Sequence, residues 1–95
     1  MYAKTVLVAM DGSKPAMRAL EFAAANYALP LVVLNVQPPM PSSRFVSRRM
    51  IAEHQQRSAT EALAPARKLI ARRELDADVV TAVGDPAETL IRLAK

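Results

Sequence analysis

Few residues in this chain could do chemistry, and the most suggestive of them stand together at Asp11-Gly12-Ser13. The triplet breaks a short apolar run, and aspartate and glycine at such a break hold a turn. Ser13 could act as a nucleophile only beside a base that takes its proton. No histidine lies near it in the sequence, so Ser13 reads as the N-cap of a following helix. His54 is the sole histidine. A metal site or an acid–base pair needs convergent partners, and none stands at helical spacing from it, so it reads as a solvated helix residue. The carboxylates are scattered, apart from Asp76 and Asp78 at a loop. The chain has no cysteine, which excludes disulfides and thiolate metal sites and fits a reducing compartment. There is no catalytic triad, zinc pattern or Walker loop. The residues present point to binding rather than catalysis, and the expectation is a protein that is not an enzyme.

The elements that must position these residues follow from the apolar pattern. Lys4 to Met10 is a short, nearly continuous apolar run rich in β-branched residues, the pattern of a strand buried on both faces. Ser13 and Pro15 then open a helix predicted over Lys14 to Ala28, with Ala16, Leu20, Ala23 and Tyr27 on one face and Pro30 as its stop. Leu31 to Val36 is a second buried strand. Pro38, Pro39 and Pro41 with Ser42 and Ser43 make a loop. A long helical stretch from about Ser47 to Arg73 carries an apolar stripe through Ala59, Ala62, Leu63, Ala66, Leu69 and Ile70. Pro65 lies inside it. An interior proline costs about 3 kcal/mol, so the expectation is a bend near Ala62 to Pro65 or two helices in series, with Ser58 to Glu61 as a capping box for the second. Val79 to Val83 is a third strand and Gly84 its turn. Asp85-Pro86-Ala87-Glu88 is a strong helix start, after which Leu90, Ile91 and Ala94 are expected to face the core. The order β-α-β-α-β-α implies an open parallel sheet with right-handed crossovers, the first half of a doubly wound α/β fold.

The chain of 95 residues allows one domain, spanning 1–95. Its longest apolar runs are too short to span a bilayer, and Met1 to Lys4 has no signal-peptide architecture, so no membrane partner and a cytoplasmic location are expected. The formal net charge is +4. It is concentrated between Arg44 and Arg73, where eight basic residues face two glutamates, Glu53 and Glu61. Sequence-tolerant nucleic-acid binding combines such basic stretches with stacking aromatics, and Phe45 alone lies within this one. The stretch therefore reads as a solvated helix face, with Arg48, Arg49, Met50 and Ile51 as a possible partner contact, and no nucleic-acid partner is expected.

Three places in register resemble one family. They are Val8-Ala9-Met10-Asp11-Gly12-Ser13, Leu34-Asn35-Val36 before the proline loop, and Val83-Gly84-Asp85-Pro86 opening a helix. Their order and spacing resemble the universal stress protein (UspA-like) family of adenine-nucleotide α-hydrolase-like folds, over the whole chain. The resemblance implies a five-stranded parallel sheet in the order 3-2-1-4-5, of which this sequence holds the first three β-α units. It implies a stress-response regulator and, in many members, ATP bound at the carboxyl ends of the strands. Carried over by position, Asp11 would contact the nucleotide, with Ala9 and Met10 beside it, and Val36 would offer backbone to the adenine. Asp11 keeps a second reading as a turn residue only.

ATP-binding members cradle the phosphates with a late G-x2-G-x9-G-[ST] motif. This sequence has two glycines, Gly12 and Gly84, both placed in earlier turns, so the motif is absent from it. Backbone N–H groups at a glycine-rich loop and a helix N-terminus are what make such a site bind phosphate. The expectation is weak or lost nucleotide binding, with ATP the cofactor that the resemblance allows. The second expectation is a non-nucleotide interaction module. Without the fourth and fifth strands, the Lys4 to Met10 strand lies uncovered and can pair with a second copy, which predicts a homo-oligomer.

Overall fold

The computed structural model describes residues 5–94. Three strands, β1 (Val6–Ala9), β2 (Leu31–Gln37) and β3 (Ala77–Val83), alternate with three helices, α1 (Lys14–Asn26), α2 (Arg48–Arg73) and α3 (Pro86–Ala94). The strands form one parallel sheet in the order β1-β2-β3. The register pairs Val6 with Leu31 and Leu31 with Ala77. This is the α/β arrangement that the alternating apolar runs predict. Lys4, expected to open the first strand, and Met1 to Ala3 lie outside the described residues.

Helices flank both faces: α1 and α2 share one core, as successive crossovers of one hand stepping the same way across a sheet require, and α3 stands beside Leu34 and Val36 on the other face. Strand residues alternate between faces, so Val6, Val8 and Met10 share a side with Leu31, Val33 and Val79. There they pack with Leu20 and Ala23 of α1 and with Leu63, Ala66 and Leu69 of α2 in one core. Helix α3 contacts β1 and β2. The alternation puts Val32 and Leu34, both fully buried, on the side away from that core. β2 is thus the strand buried on both faces. β1 is not: Ala9 is exposed, and Val6 and Leu7 are half-buried, because β1 has a paired neighbour on one side only.

Local chemistry sets the helix boundaries. The Ser13 hydroxyl accepts from the Ala16 N–H at 3.3 Å, and Ser47 does the same for the Met50 N–H at 3.2 Å, so each caps its helix. Helix α1 ends at Asn26, earlier than Pro30 alone suggests. Tyr27 is already extended and exposed, so it does not extend the α1 core face. The residue before a proline avoids helical geometry, and the chain uses Tyr27 to Pro30 to reach β2.

Helix α2 runs unbroken for 26 residues through Pro65, about 39 Å. The two-helix alternative does not occur. Ser58 lies mid-helix rather than at a cap, and the Thr60 hydroxyl donates to the Gln56 carbonyl. The buried stripe of Ala59, Leu63, Ala66 and Leu69 on both sides of Pro65 holds the rod together despite the missing N–H. It ends at Glu74, which takes a left-handed conformation with φ 50° while Leu75 N–H donates to Ile70 O. In α3, Leu90 is half-buried as expected, whereas Ile91 is exposed; the Ala94 side chain lies outside the described set. No helix among the described residues is long and apolar enough to cross a membrane.

Candidate functional site

A cleft of about 490 Å³ opens at the carboxyl ends of β1 and β2. This is where an open parallel sheet leaves a crevice, because the chain departs from adjacent strands into different helices. Its floor is Leu34, Asn35 and Val36 of β2. One wall is Ala9, Met10, Asp11 and Ser13, continuing into Pro15 and Ala16 of α1. The far wall is Pro86 and Leu90 of α3. Ala9, Met10, Asp11 and Val36, singled out in the sequence, therefore line one cavity.

The turn that carries Asp11 is fixed from three directions. The Asp11 carboxylate accepts from the Ser13 N–H at 2.8 Å. Gly12 has φ +84°, a left-handed conformation that glycine adopts without strain. Met10 N–H donates to Leu34 O at 2.7 Å, while Asn35 donates from its side-chain amide to Met10 O at 2.8 Å. The Asn35 oxygen in turn accepts from Gln37 Nε2 at 2.8 Å. Asn35 is buried, and an amide in a dry site needs such partners. The relay Gln37–Asn35–Met10 clamps the end of β1 to β2 where Asp11 begins. An asparagine inside the apolar run Leu31 to Val36 was the sequence signal for this role. Nothing local foretold Leu90 and Pro86, which arrive from α3.

Asp11 is exposed and is the one charged residue among those lining the cleft. Hydrogen bonds from the Ser13 side chain and then its backbone N–H hold the Asp11 carboxyl below its ordinary value. The site therefore carries a fixed negative charge at neutral pH, set in largely apolar walls. The two helices that point their N-termini here are already capped. Ala16 N–H goes to the Ser13 hydroxyl and Glu88 N–H to the Asp85 carboxylate, at 2.9 Å for the latter. Pro15 and Pro86 have no N–H to give. Free amides for an anion are thus scarce at both helix ends. Gly84 donates its N–H to Gln37 O and extends the β2–β3 ladder, so it is a turn residue. The described residues contain no cluster of three or more histidine, cysteine or acidic side chains able to hold a metal ion.

What the cleft can do follows from this inventory. It can hold a flat apolar group against Leu34, Val36 and Leu90. It can accept hydrogen bonds from hydroxyl or amine donors at Asp11. It holds no cation for a phosphate, no base beside Ser13, and no second carboxylate for acid–base work. His54 lies on α2 away from this cleft, exposed and lining a separate groove.

A profile of the universal stress protein family matches residues 2–95. Searches of curated proteins and of solved structures each found no match.

Proposed function

The chain belongs to the universal stress protein family, and on that premise we propose that it is a stress-response regulator that acts by binding, with a cleft for the nucleoside part of an adenine nucleotide rather than for its phosphates. The observation that carries this reading is the charge of the cleft: Asp11 is its one ionisable lining residue, and that residue is anionic. A carboxylate accepts hydrogen bonds from the ribose hydroxyls, and the apolar floor at Leu34 and Val36 suits the face of a purine. The same carboxylate repels a triphosphate, and among the described residues no glycine-rich cradle offsets that repulsion. Absence of a base beside Ser13 and of a metal cluster among the described residues favours binding over hydrolysis.

Calorimetric titration with adenosine and, separately, with magnesium ATP tests the reading. Adenosine is expected to bind at least as tightly as ATP. Asp11→Asn should weaken adenosine by about tenfold, the worth of a hydrogen bond to a charged group. Tighter binding of ATP than of adenosine, or no response to either, would overturn it.

A second reading rests on a different observation. β1 lies at the edge of the described sheet, and among the described residues no strand pairs with its outer side. We propose that this edge pairs with a second copy, giving a homodimer of the 95-residue chain. An open, mostly apolar edge is a template for another strand.

A further inference from the structure

A second concavity, remote from the nucleoside cleft, lies where the β2–α2 loop folds back on the start of α2. It encloses about 310 Å³ over an apolar floor of Met40, Val46, Met50 and Ile51. The loop around it is tied down. Ser43 N–H donates to Val46 O, the N–H groups of Phe45 and Val46 both reach the Ser43 hydroxyl, and Gln55 donates to Pro38 O. Three prolines stiffen its first half. This ordered loop nevertheless turns apolar side chains outward. Phe45 is 82% exposed, Met50 53% and Met40 44%. Methionine adapts its shape to different apolar partners and is used at surfaces that dock peptides.

Arg57 lines this groove beside Glu53 and His54, and the segment that builds it is basic. Between Pro38 and Arg57 stand four arginines and one acidic residue, Glu53. Arg49 contacts the Glu53 carboxylate at 3.3 Å and offsets its charge. Arg44, Arg48 and Arg57 are exposed and make no ion pair among the described residues. A guanidinium grips a carboxylate with two parallel hydrogen bonds, so this basic segment complements an acidic partner. A second copy of the chain would bring the same arginines face to face, which complementarity forbids. A lipid surface would suit a convex tip, whereas this floor is recessed and sized for side chains.

We infer that the groove between the β2–α2 loop and α2 is a docking site for an acidic peptide segment of another protein that inserts apolar anchors. Apolar residues spaced three and four apart on a short helix would enter over Met50 and Ile51, with a flanking carboxylate on Arg57. This inference stands independently of what the nucleoside cleft binds.

Selection from a random peptide library displayed on phage, with the intact chain as bait, tests it. The enriched peptides are expected to be net acidic with apolar residues at helical spacing. Synthetic copies of them should lose about tenfold or more in affinity against Met50→Ser, an anchor-contact truncation, and against Arg57→Glu. These residues are exposed, so circular dichroism should show the variants folded. Peptides without acidic bias, or affinity unchanged in both variants, would overturn the proposal. So would the absence of any enrichment combined with binding to vesicles of equal parts phosphatidylcholine and phosphatidylserine, which would make the patch a lipid contact.

Discussion

A β-carbon placed on Gly12 would stand 2.9 Å from the carbonyl oxygen of Ala62 and 3.2 Å from its Cα. The turn after β1 therefore rests directly on the backbone of α2, fifty residues further along the chain. Helix backbone cannot step aside as a flexible side chain can, so glycine is needed here twice over, for its φ and for its lack of bulk. Through this contact α2 supports the turn that presents Asp11.

Gly12→Ala should accordingly be among the most damaging small substitutions in the chain. Left-handed geometry costs a non-glycine residue about 1–2 kcal/mol, and overpacking adds roughly 1–3 kcal/mol. Urea unfolding monitored by circular dichroism should show a midpoint well below that of the parent chain. An unchanged midpoint would mean that the turn and α2 do not touch.

Asn35→Leu keeps the branched shape of the side chain but removes the donor to Met10 O and leaves the Gln37 amide without its acceptor. Leaving the buried Met10 carbonyl unsatisfied costs about 1–3 kcal/mol. Lower stability should come with weaker adenosine binding, since the end of β1 is no longer clamped. Parent-like values in both measurements would reduce the Gln37–Asn35–Met10 relay to a bystander.

The Asp11 carboxyl should titrate below its ordinary value of 3.8. A depressed folded-state value means that the group stabilises the fold above the unfolded value. That contribution is lost as pH falls through the lower folded value. The window is thus strongly acidic, and neutral-pH stability carries the full contribution. Carbon-detected NMR titration of the Asp11 side chain reads the midpoint directly. Ser13→Ala should move it upward, and no movement would assign the depression to another cause.

Leu7→Pro tests the open edge. Val6 donates to Pro30 O just before β2 and Met10 to Leu34 O within it, so by the period of two Leu7 turns its N–H outward. Proline there removes a donor from the free edge while sparing the inner ladder. Sedimentation velocity at high concentration should show a dimer for the 95-residue chain and a monomer for the variant. A monomeric parent chain would rule out pairing through β1.

Pro65→Ala should stabilise the chain. The substitution restores an N–H for the Glu61 carbonyl inside a continuous helix, where proline costs about 3 kcal/mol against alanine. Part of that gain is offset by the packing of the half-buried ring. A higher thermal midpoint, by several degrees, is the expected outcome; a lower one would show that α2 needs the proline for its fit on the sheet.

What could be read in the sequence was what depends on neighbours in the chain. Caps at Ser13 and Asp85 and the run Leu31 to Val36 declare themselves through local hydrogen bonding and apolar content. Ala9, Met10, Asp11 and Val36 share the cleft because both strand ends were placed by pattern and resemblance. Contacts between distant segments were not legible. Leu90 reaches the cleft only because α3 crosses β1 and β2, and Asn35 meets Met10 only because the strands are parallel in this register. Whether α2 would bend at Pro65 or split there was open for the same reason, and of the two it does not split. The local penalty and the stripe were both visible, while the packing of that stripe against β2 and α1, which outweighs the penalty, was not. Exposure of β1 likewise depends on which strands stand beside it, not on its own residues.

The position of β2 also bears on how the chain is made. On the ribosome, β1, α1 and β2 emerge before the partners that enclose β2 on its other edge. Until α2 and β3 have followed, the apolar segment Leu31 to Leu34 has one strand neighbour and an unfinished cover. Throughout translation of the long α2 that segment is a sticky surface, open to wrong pairing with neighbouring nascent chains. The proline loop after Gln37 bounds it at once, and a chain slowed within α2 would be at most risk of aggregation.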